Sequence, residues 1–198
     1  SWISDHREAD LPALRDVLNH AALFARTNPV HPGLRAEVDR LIDAGVEVLM
    51  LPMFRTTEEA AAFIEFVGGR ARVSLLVETA AAAASISGIV QLDGIDEIHV
   101  GLNDLHLDLG LDSHFQLLCH PLIEEIAAAV HARGIPFGFG GVGRYKDPRL
   151  NIPSDVVYAQ YPRLGGDRAL VSRVFTSPDY RRFDLSREVS VFRERMDT

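Results

Sequence analysis

Two carboxylates draw attention by where they fall. Glu78 closes the apolar run Val73–Val77, and Asp104 follows the apolar run Ile95–Val100 through Gly101-Leu102-Asn103. They lie 26 residues apart, the length of one strand-and-helix unit, which puts them on neighbouring units. Adjacent parallel strands are about 4.8 Å apart, so both side chains can reach one small cation. Two carboxylates, with water or substrate oxygen in the remaining positions, is a common way to hold Mg²⁺. A plainer role is open to both: Glu78 as the cap of a helix starting at Thr79, and Asp104 as the cap of a turn before Leu105, since acidic side chains favour helix starts. Spacing alone does not choose between them.

Arg26 ends another apolar run, Ala21–Ala25. A guanidinium aimed into a cleft grips a carboxylate through two parallel hydrogen bonds and never loses its charge. A surface ion pair is the alternative. The eight histidines include no pair at i and i+4 within one expected helix, which argues against a histidine-based zinc site. His99 is expected to face a helix layer, His106 follows the Asn103-Asp104 turn, and His31 sits in the loop Pro29-Val30-His31-Pro32. Cys119 is expected inside a helix as an inert packing residue with no partner base. The cluster Gly138-Phe139-Gly140-Gly141-Val142-Gly143 follows a strand and implies a sharp turn or a close approach. It does not match the dinucleotide-binding fingerprint, and no Walker A sequence is present.

The elements that must position these residues alternate. Apolar runs at Ala21–Ala25, Val46–Leu51, Val73–Val77, Ile95–Val100, Ile135–Phe139 and Ala169–Val174 read as strands. Helical spacing is found over Ala9–Leu18, Gly33–Ala44, Thr57–Val67, Ala80–Val90, Gln116–Arg133 and Ser154–Leu164, with Asp10 as N-cap of the first. From Val46 onward the strands are apolar on both faces, which means a parallel sheet covered on both sides. Right-handed crossovers then leave an open doubly wound sheet or a (β/α)₈ barrel. Six strands are found where a barrel needs eight, and the chain opens on a loop and helix, so two units are expected to be absent from its start. Tyr180–Met196 reads as a peripheral helix with Phe183, Leu185, Val189 and Phe192 on one stripe. Residues 1–198 are read as a single domain.

Composition sets the outer bounds. The 198 residues carry 20 Lys and Arg against 28 Asp and Glu, a net charge of −8, which disfavours nucleic-acid and anionic-membrane partners. A single cysteine excludes an internal disulfide framework and suits a reducing cytosol. No apolar run reaches the roughly 18 residues of a membrane span, and Ser1-Trp2-Ile3-Ser4-Asp5 is not a signal peptide. The expected location is cytoplasmic.

The strand ends together carry a resemblance. Glu47-Val48-Leu49-Met50-Leu51-Pro52-Met53, Leu76-Val77-Glu78-Thr79 and Gly101-Leu102-Asn103-Asp104-Leu105 follow one another in order, preceded by Ala25-Arg26-Thr27-Asn28-Pro29. With Phe137-Gly138-Phe139-Gly140-Gly141 and Leu170-Val171-Ser172-Arg173, they resemble the HpcH/HpaI aldolase and citrate lyase family over roughly residues 20–175. The resemblance implies a (β/α)₈ TIM barrel of the pyruvate/phosphoenolpyruvate type, here lacking its N-terminal strands. It also implies Glu78 and Asp104 as ligands of Mg²⁺ or Mn²⁺, and Arg26 on the oxygens of a pyruvate-like keto acid. Backbone groups at Gly101 and Asn103 would help to hold the substrate carboxylate.

The function so implied is a metal-dependent carbon–carbon lyase of the aldolase class, acting on a small keto acid or its aldol. The metal would serve as Lewis acid, with Arg26 adding fixed positive charge. The alternatives are an acyl-CoA lyase of the citrate lyase branch, which a basic patch for the CoA phosphates would favour, and a non-catalytic homologue serving binding or assembly. In many members the first strands and loops, missing here, carry the base, so none is named, and His31 and His106 are the candidates. Leu76 stands where many pyruvate aldolases of the family have Gln, and Leu102-Asn103 where many members have Pro-Ala. A homo-oligomer (dimer, trimer or hexamer) is expected, because an incomplete barrel leaves open sheet edges.

Overall fold

The computed structural model describes residues 6–150, 152–172, 175 and 184–196. Its strands are β1 (Phe24–Arg26), β2 (Val48–Leu51), β3 (Arg72–Val77), β4 (Glu97–Val100), β5 (Phe137–Val142) and β6 (Arg168–Val171), all parallel and in chain order across one sheet. The sheet curls into an incomplete barrel, as a six-stranded part of a TIM-type fold should. The helices are α1 (Leu11–Val17), α2 (Leu34–Asp43), α3 (Thr57–Val67), α4 (Ala80–Ala84), α5 (Ile86–Ile89), α6 (Leu102–Asp108), α7 (His114–Leu118), α8 (Pro121–His131), α9 (Ser154–Tyr158), α10 (Gln160–Leu164) and α11 (Leu185–Met196).

Alternation along the strands separates the two faces. Leu49, Leu51, Leu75, Val77, Ile98, Val100, Phe137 and Phe139 join the helices in the main core. Val48, Met50, Ser74, Leu76 and His99 are buried on the concave face. His99 therefore does not face the helix layer: Ile98 and Val100 do, and the imidazole points the other way, with Nε2 3.1 Å from Glu97 Oε1.

The amino ends of the strands are tied together by carboxylates. Glu47 Oε2 accepts from Leu23 N at 3.0 Å, Asp96 Oδ2 from Val73 N at 2.7 Å and Asp167 Oδ1 from Phe137 N at 3.0 Å. Each acid stands just before one strand and satisfies a backbone N–H at the start of its neighbour, a group that has no partner within the ladder.

Several expected helices are shorter. The 80–90 stretch breaks at Ser85, the 116–133 stretch at Cys119-His120-Pro121, where the proline opens α8, and the 154–164 stretch at Ala159. Cys119 is exposed at the C-cap of α7 rather than packed within a helix. Asp10 stands at the N-cap of α1, but its side chain accepts from Arg7 N at 2.8 Å instead of capping α1. The glycine cluster lies within β5 apart from Gly143, and Gly141 takes φ +92° at a register shift between Gly140 and Val142. A Cβ on Gly138 would stand 2.4 Å from the carbonyl oxygen of Arg168. Of the expected C-terminal helix, Leu185–Met196 is helical; Tyr180 and Phe183 lie outside the described residues, as does Arg173.

Candidate active site at the carboxyl ends of the strands

Parallel strands deliver their last residues to one end of the sheet, and the three charged residues singled out above meet there. Arg26 is the last residue of β1, Glu78 immediately follows β3, and Asp104 lies in the first turn of α6, four residues after β4. Arg26 is exposed, Asp104 is half-buried, and Glu78 is only 3% exposed.

Glu78 caps no helix. That role belongs to Thr79, whose Oγ1 accepts from Ala82 N at 3.1 Å and donates to the carbonyl of Phe54 at 2.8 Å. Glu78 instead turns over the strand ends, and its Oε1 accepts from the backbone N–H of Met53 at 3.0 Å. Met53 presents that N–H from a left-handed conformation, φ +55°, which non-glycine residues adopt infrequently. The other oxygen leans over Gly101: a Cβ there would lie 2.6 Å from Glu78 Oε2. Glycine at this position makes room for the carboxylate.

Asp104 does not cap α6 either, since the N-cap is Gly101 and no side-chain cap is made. Its charge faces Glu78. Burial, first, and the negative charge of Asp104, second, push the Glu78 carboxyl up to about 7, against the opposing pull of the Met53 N–H and the Arg26 guanidinium. One buried and one half-buried carboxylate repel each other here beside a single guanidinium. A hard divalent cation fits such a pair of oxygen donors and would relieve the repulsion. Among the described residues no group of three or more His, Cys, Asp or Glu gathers in a metal-binding cluster, so water or substrate oxygen would have to fill the remaining positions.

Of the two backbone positions expected to hold a substrate carboxylate, Gly101 has both groups engaged: its N–H donates to Val77 O at 3.0 Å and its carbonyl accepts from Leu105 N at 3.0 Å. Asn103 is exposed in the first turn of α6, where backbone N–H groups have no partner within the helix. The loop after Arg26 is braced by the buried Glu37, which accepts from Asn28 N at 2.9 Å and lies 2.8 Å from His31 Nε2. His31 Nδ1 accepts from Gly33 N, so the ring proton sits on Nε2 and neither nitrogen is free. His106 is buried, with Nδ1 on the carbonyl of Leu102 and its ring edge on His114.

Three contributors were not singled out in the sequence. Met53 supplies a backbone donor, Thr79 fixes the turn after Glu78, and Asp108 Oδ2 accepts from Ala80 N at 2.7 Å, tying α6 to α4. The Pro52-Met53 turn and the i, i+4 spacing of Asp104 and Asp108 were the signals available for two of them.

The chain belongs to the HpcH/HpaI aldolase/citrate lyase family, whose model matches residues 7–139. It is 30% identical to a hydroxypyruvate/pyruvate aldolase of Rhizorhabdus wittichii, in an alignment covering 65% of this chain and 64% of that protein. The chain thus spans somewhat less than two thirds of the length of this relative. The fold is also that of an HpcH/HpaI aldolase/citrate lyase family protein from Burkholderia cenocepacia (TM-score 0.69, 17% identity, 97% of this chain and 81% of that one). The citrate synthase SbnG is equally similar (TM-score 0.69, 17% identity, 98% of this chain and 82% of that one).

Proposed function

We propose that this member of the HpcH/HpaI aldolase/citrate lyase family is a divalent-metal-dependent carbon–carbon lyase with a barrel of the pyruvate/phosphoenolpyruvate type, acting through a pyruvate-like enolate on a 2-keto acid or its aldol. The observation that carries the reading is the buried Glu78, its carboxyl raised to about 7 by burial and by Asp104, beside Arg26. Mg²⁺ or Mn²⁺ between Glu78 and Asp104 would supply Lewis acidity to the keto and carboxylate oxygens of the substrate. Met53 N–H holds one oxygen of Glu78 in place, and the absence of a side chain at Gly101 leaves room for the other. Arg26 binds the keto acid and adds fixed positive charge where the enolate oxygen becomes negative. The exposed first turn of α6 at Asn103 offers N–H groups to the substrate carboxylate.

In cleavage, the hydroxyl proton on the far carbon leaves to a base as the carbon–carbon bond breaks. The electron pair passes to the keto oxygen, an aldehyde departs, and protonation of the enolate carbon gives the pyruvate product. His31 and His106 are both committed to neighbours in this structure, so neither is assigned as the base. That commitment favours one second reading, a homologue that binds a keto acid and metal without turning it over.

Exchange of the pyruvate methyl protons into D₂O separates the two. With Mg²⁺ or Mn²⁺ the lyase reading expects exchange that EDTA abolishes. Binding of pyruvate or oxalate with no metal-dependent exchange would establish the second reading instead.

A further inference from the structure

The short helix α6 meets the joint between β3 and α4 at both of its ends. At its start, Gly101 donates its N–H to Val77 O at 3.0 Å, and a Cβ on Gly101 would stand 2.7 Å from the Cβ of Glu78. At its end, Asp108 Oδ2 accepts from Ala80 N at 2.7 Å. Ala80 is the first residue of α4, and the N–H groups of a first turn find no partner within their own helix. The Thr79 cap serves Ala82 N, so it is Asp108 that satisfies Ala80 N.

The two acids of α6 are spaced to match that joint. Asp104 and Asp108 are four residues apart, which puts them on one face of the helix, about 6 Å apart along its axis. Glu78 and Ala80 are separated by Thr79, which is extended (φ −121°, ψ 146°), and two extended residues span about 7 Å. With Asp108 fixed on Ala80, Asp104 is brought level with Glu78, the residue its charge acts on. Leu102, Leu105 and His106 bury the opposite side of α6. Apolar burial has no direction of its own, so a polar tie is what sets the rotation of such a helix. Arg55 brings Nη2 to 4.0 Å from the same Asp108 oxygen, too far for a hydrogen bond, with 55% of its side chain open to solvent. The short bond is the one to Ala80.

We propose that Asp108 is a positioning residue for the metal pair: by fixing the end of α6 to Ala80, it sets the distance at which Asp104 faces Glu78, and through it the affinity for the divalent ion. The inference rests on the metal-dependent lyase reading and extends it to a residue that touches neither metal nor substrate. Ligands held at their working distance before the ion arrives need less ordering on binding. Groups that stand behind the ligands commonly govern metal affinity tenfold or more.

The test is calorimetric titration of the whole chain with Mn²⁺. Asp108→Ala should bind about tenfold more weakly than the parent. Ala80→Pro removes the N–H and keeps the Asp108 carboxylate: proline suits the first position of a helix, and the extended Thr79 suits a following proline. It should lose affinity to a similar extent. Asp108→Asn, whose amide oxygen still accepts from Ala80 N, should recover most of the affinity. Ala84→Gly loosens α4 at an exposed position away from the joint and should bind Mn²⁺ as the parent does.

A parent that binds Mn²⁺, with Asp108→Ala or Ala80→Pro at parental affinity, overturns this inference and leaves the lyase reading standing. So does Asp108→Asn as weak as Asp108→Ala, which would assign the effect to charge. Ala84→Gly as weak as Asp108→Ala overturns it too, by assigning the effect to the general stability of α4. A parent that binds no Mn²⁺ overturns the metal-dependent reading and this inference with it.

Discussion

Glu78 is held under opposing influences. Its carboxyl is raised from 4.5 to about 7, so the fold disfavours the ionised form. The folded protein binds a proton there that the unfolded chain has already released. Stability should therefore fall as pH rises from about 4.5 to about 7 and then level off, by roughly 3 kcal/mol at most. Urea unfolding in EDTA across that range should show the slope in the parent and lose it in Glu78→Gln. An equal slope in the variant would mean that another group is responsible. Metal competes with the same proton, so Mn²⁺ affinity should rise with pH up to about 7.

Gly101→Ala is a second residue-scale prediction. Its backbone, φ −84°, admits alanine, but the new Cβ would lie 2.6 Å from Glu78 Oε2. Displacing that carboxylate should weaken Mn²⁺ binding by at least tenfold in calorimetry, at an overpacking cost of about 1–3 kcal/mol. Unchanged affinity would mean that Glu78 holds no metal. Glu78 and Asp104 were legible in the sequence because an ionisable residue at the end of an apolar run is conspicuous. Met53 was not, because its contribution is a backbone N–H aimed by a φ of +55°, which its side chain does not announce.

At the scale of elements, the site depends on joints between strand ends and the helices that follow. Thr79 is fully buried, donates to Phe54 O and caps α4 at once. Thr79→Ala should cost about 1–2 kcal/mol in denaturant unfolding, whereas Thr79→Ser, which keeps the hydroxyl, should cost less. Equal losses for the two would assign the effect to the methyl group. The apolar runs placed the strands to within a few residues, because strands buried on both faces are apolar throughout. The interruptions at Ser85 and Ala159 left no such mark, since both residues suit a helix. Gly101-Leu102-Asn103-Asp104 reads locally as a turn, yet α6 starts at Leu102, because Leu102 and Leu105 bury against the core. Packing decided there what local propensity did not.

For the whole molecule, the described sheet has an edge at β1 and another at β6. Phe24 on β1 and Val171 on β6 are 41% and 51% exposed, with an exposed arginine, Arg26 or Arg168, at the other end of each strand. Folded proteins cover or block such edges, and we expect at least a dimer in solution. Light scattering giving the mass of a single 21.8 kDa chain at micromolar concentration would contradict this. The parallel sheet was legible because the strands from Val46 onward are apolar on both faces. Which face was concave was not, because both are buried, and His99 was assigned to the wrong one. No helix among the described residues is long and apolar enough to cross a membrane.

The central claim is that Glu78 and Asp104 share a divalent ion, and melting curves with EDTA or excess Mn²⁺ test it most directly. A ligand that binds only the folded state raises Tm, by an amount set by its concentration over its Kd. The parent should melt higher in Mn²⁺ than in EDTA, while Glu78→Ala and Asp104→Ala should melt at the same temperature in both. In EDTA the two variants should be no less stable than the parent at pH 8, because each removes one of two repelling charges. A parent that does not respond to Mn²⁺, or an Asp104→Ala variant that keeps the full shift, would contradict the account.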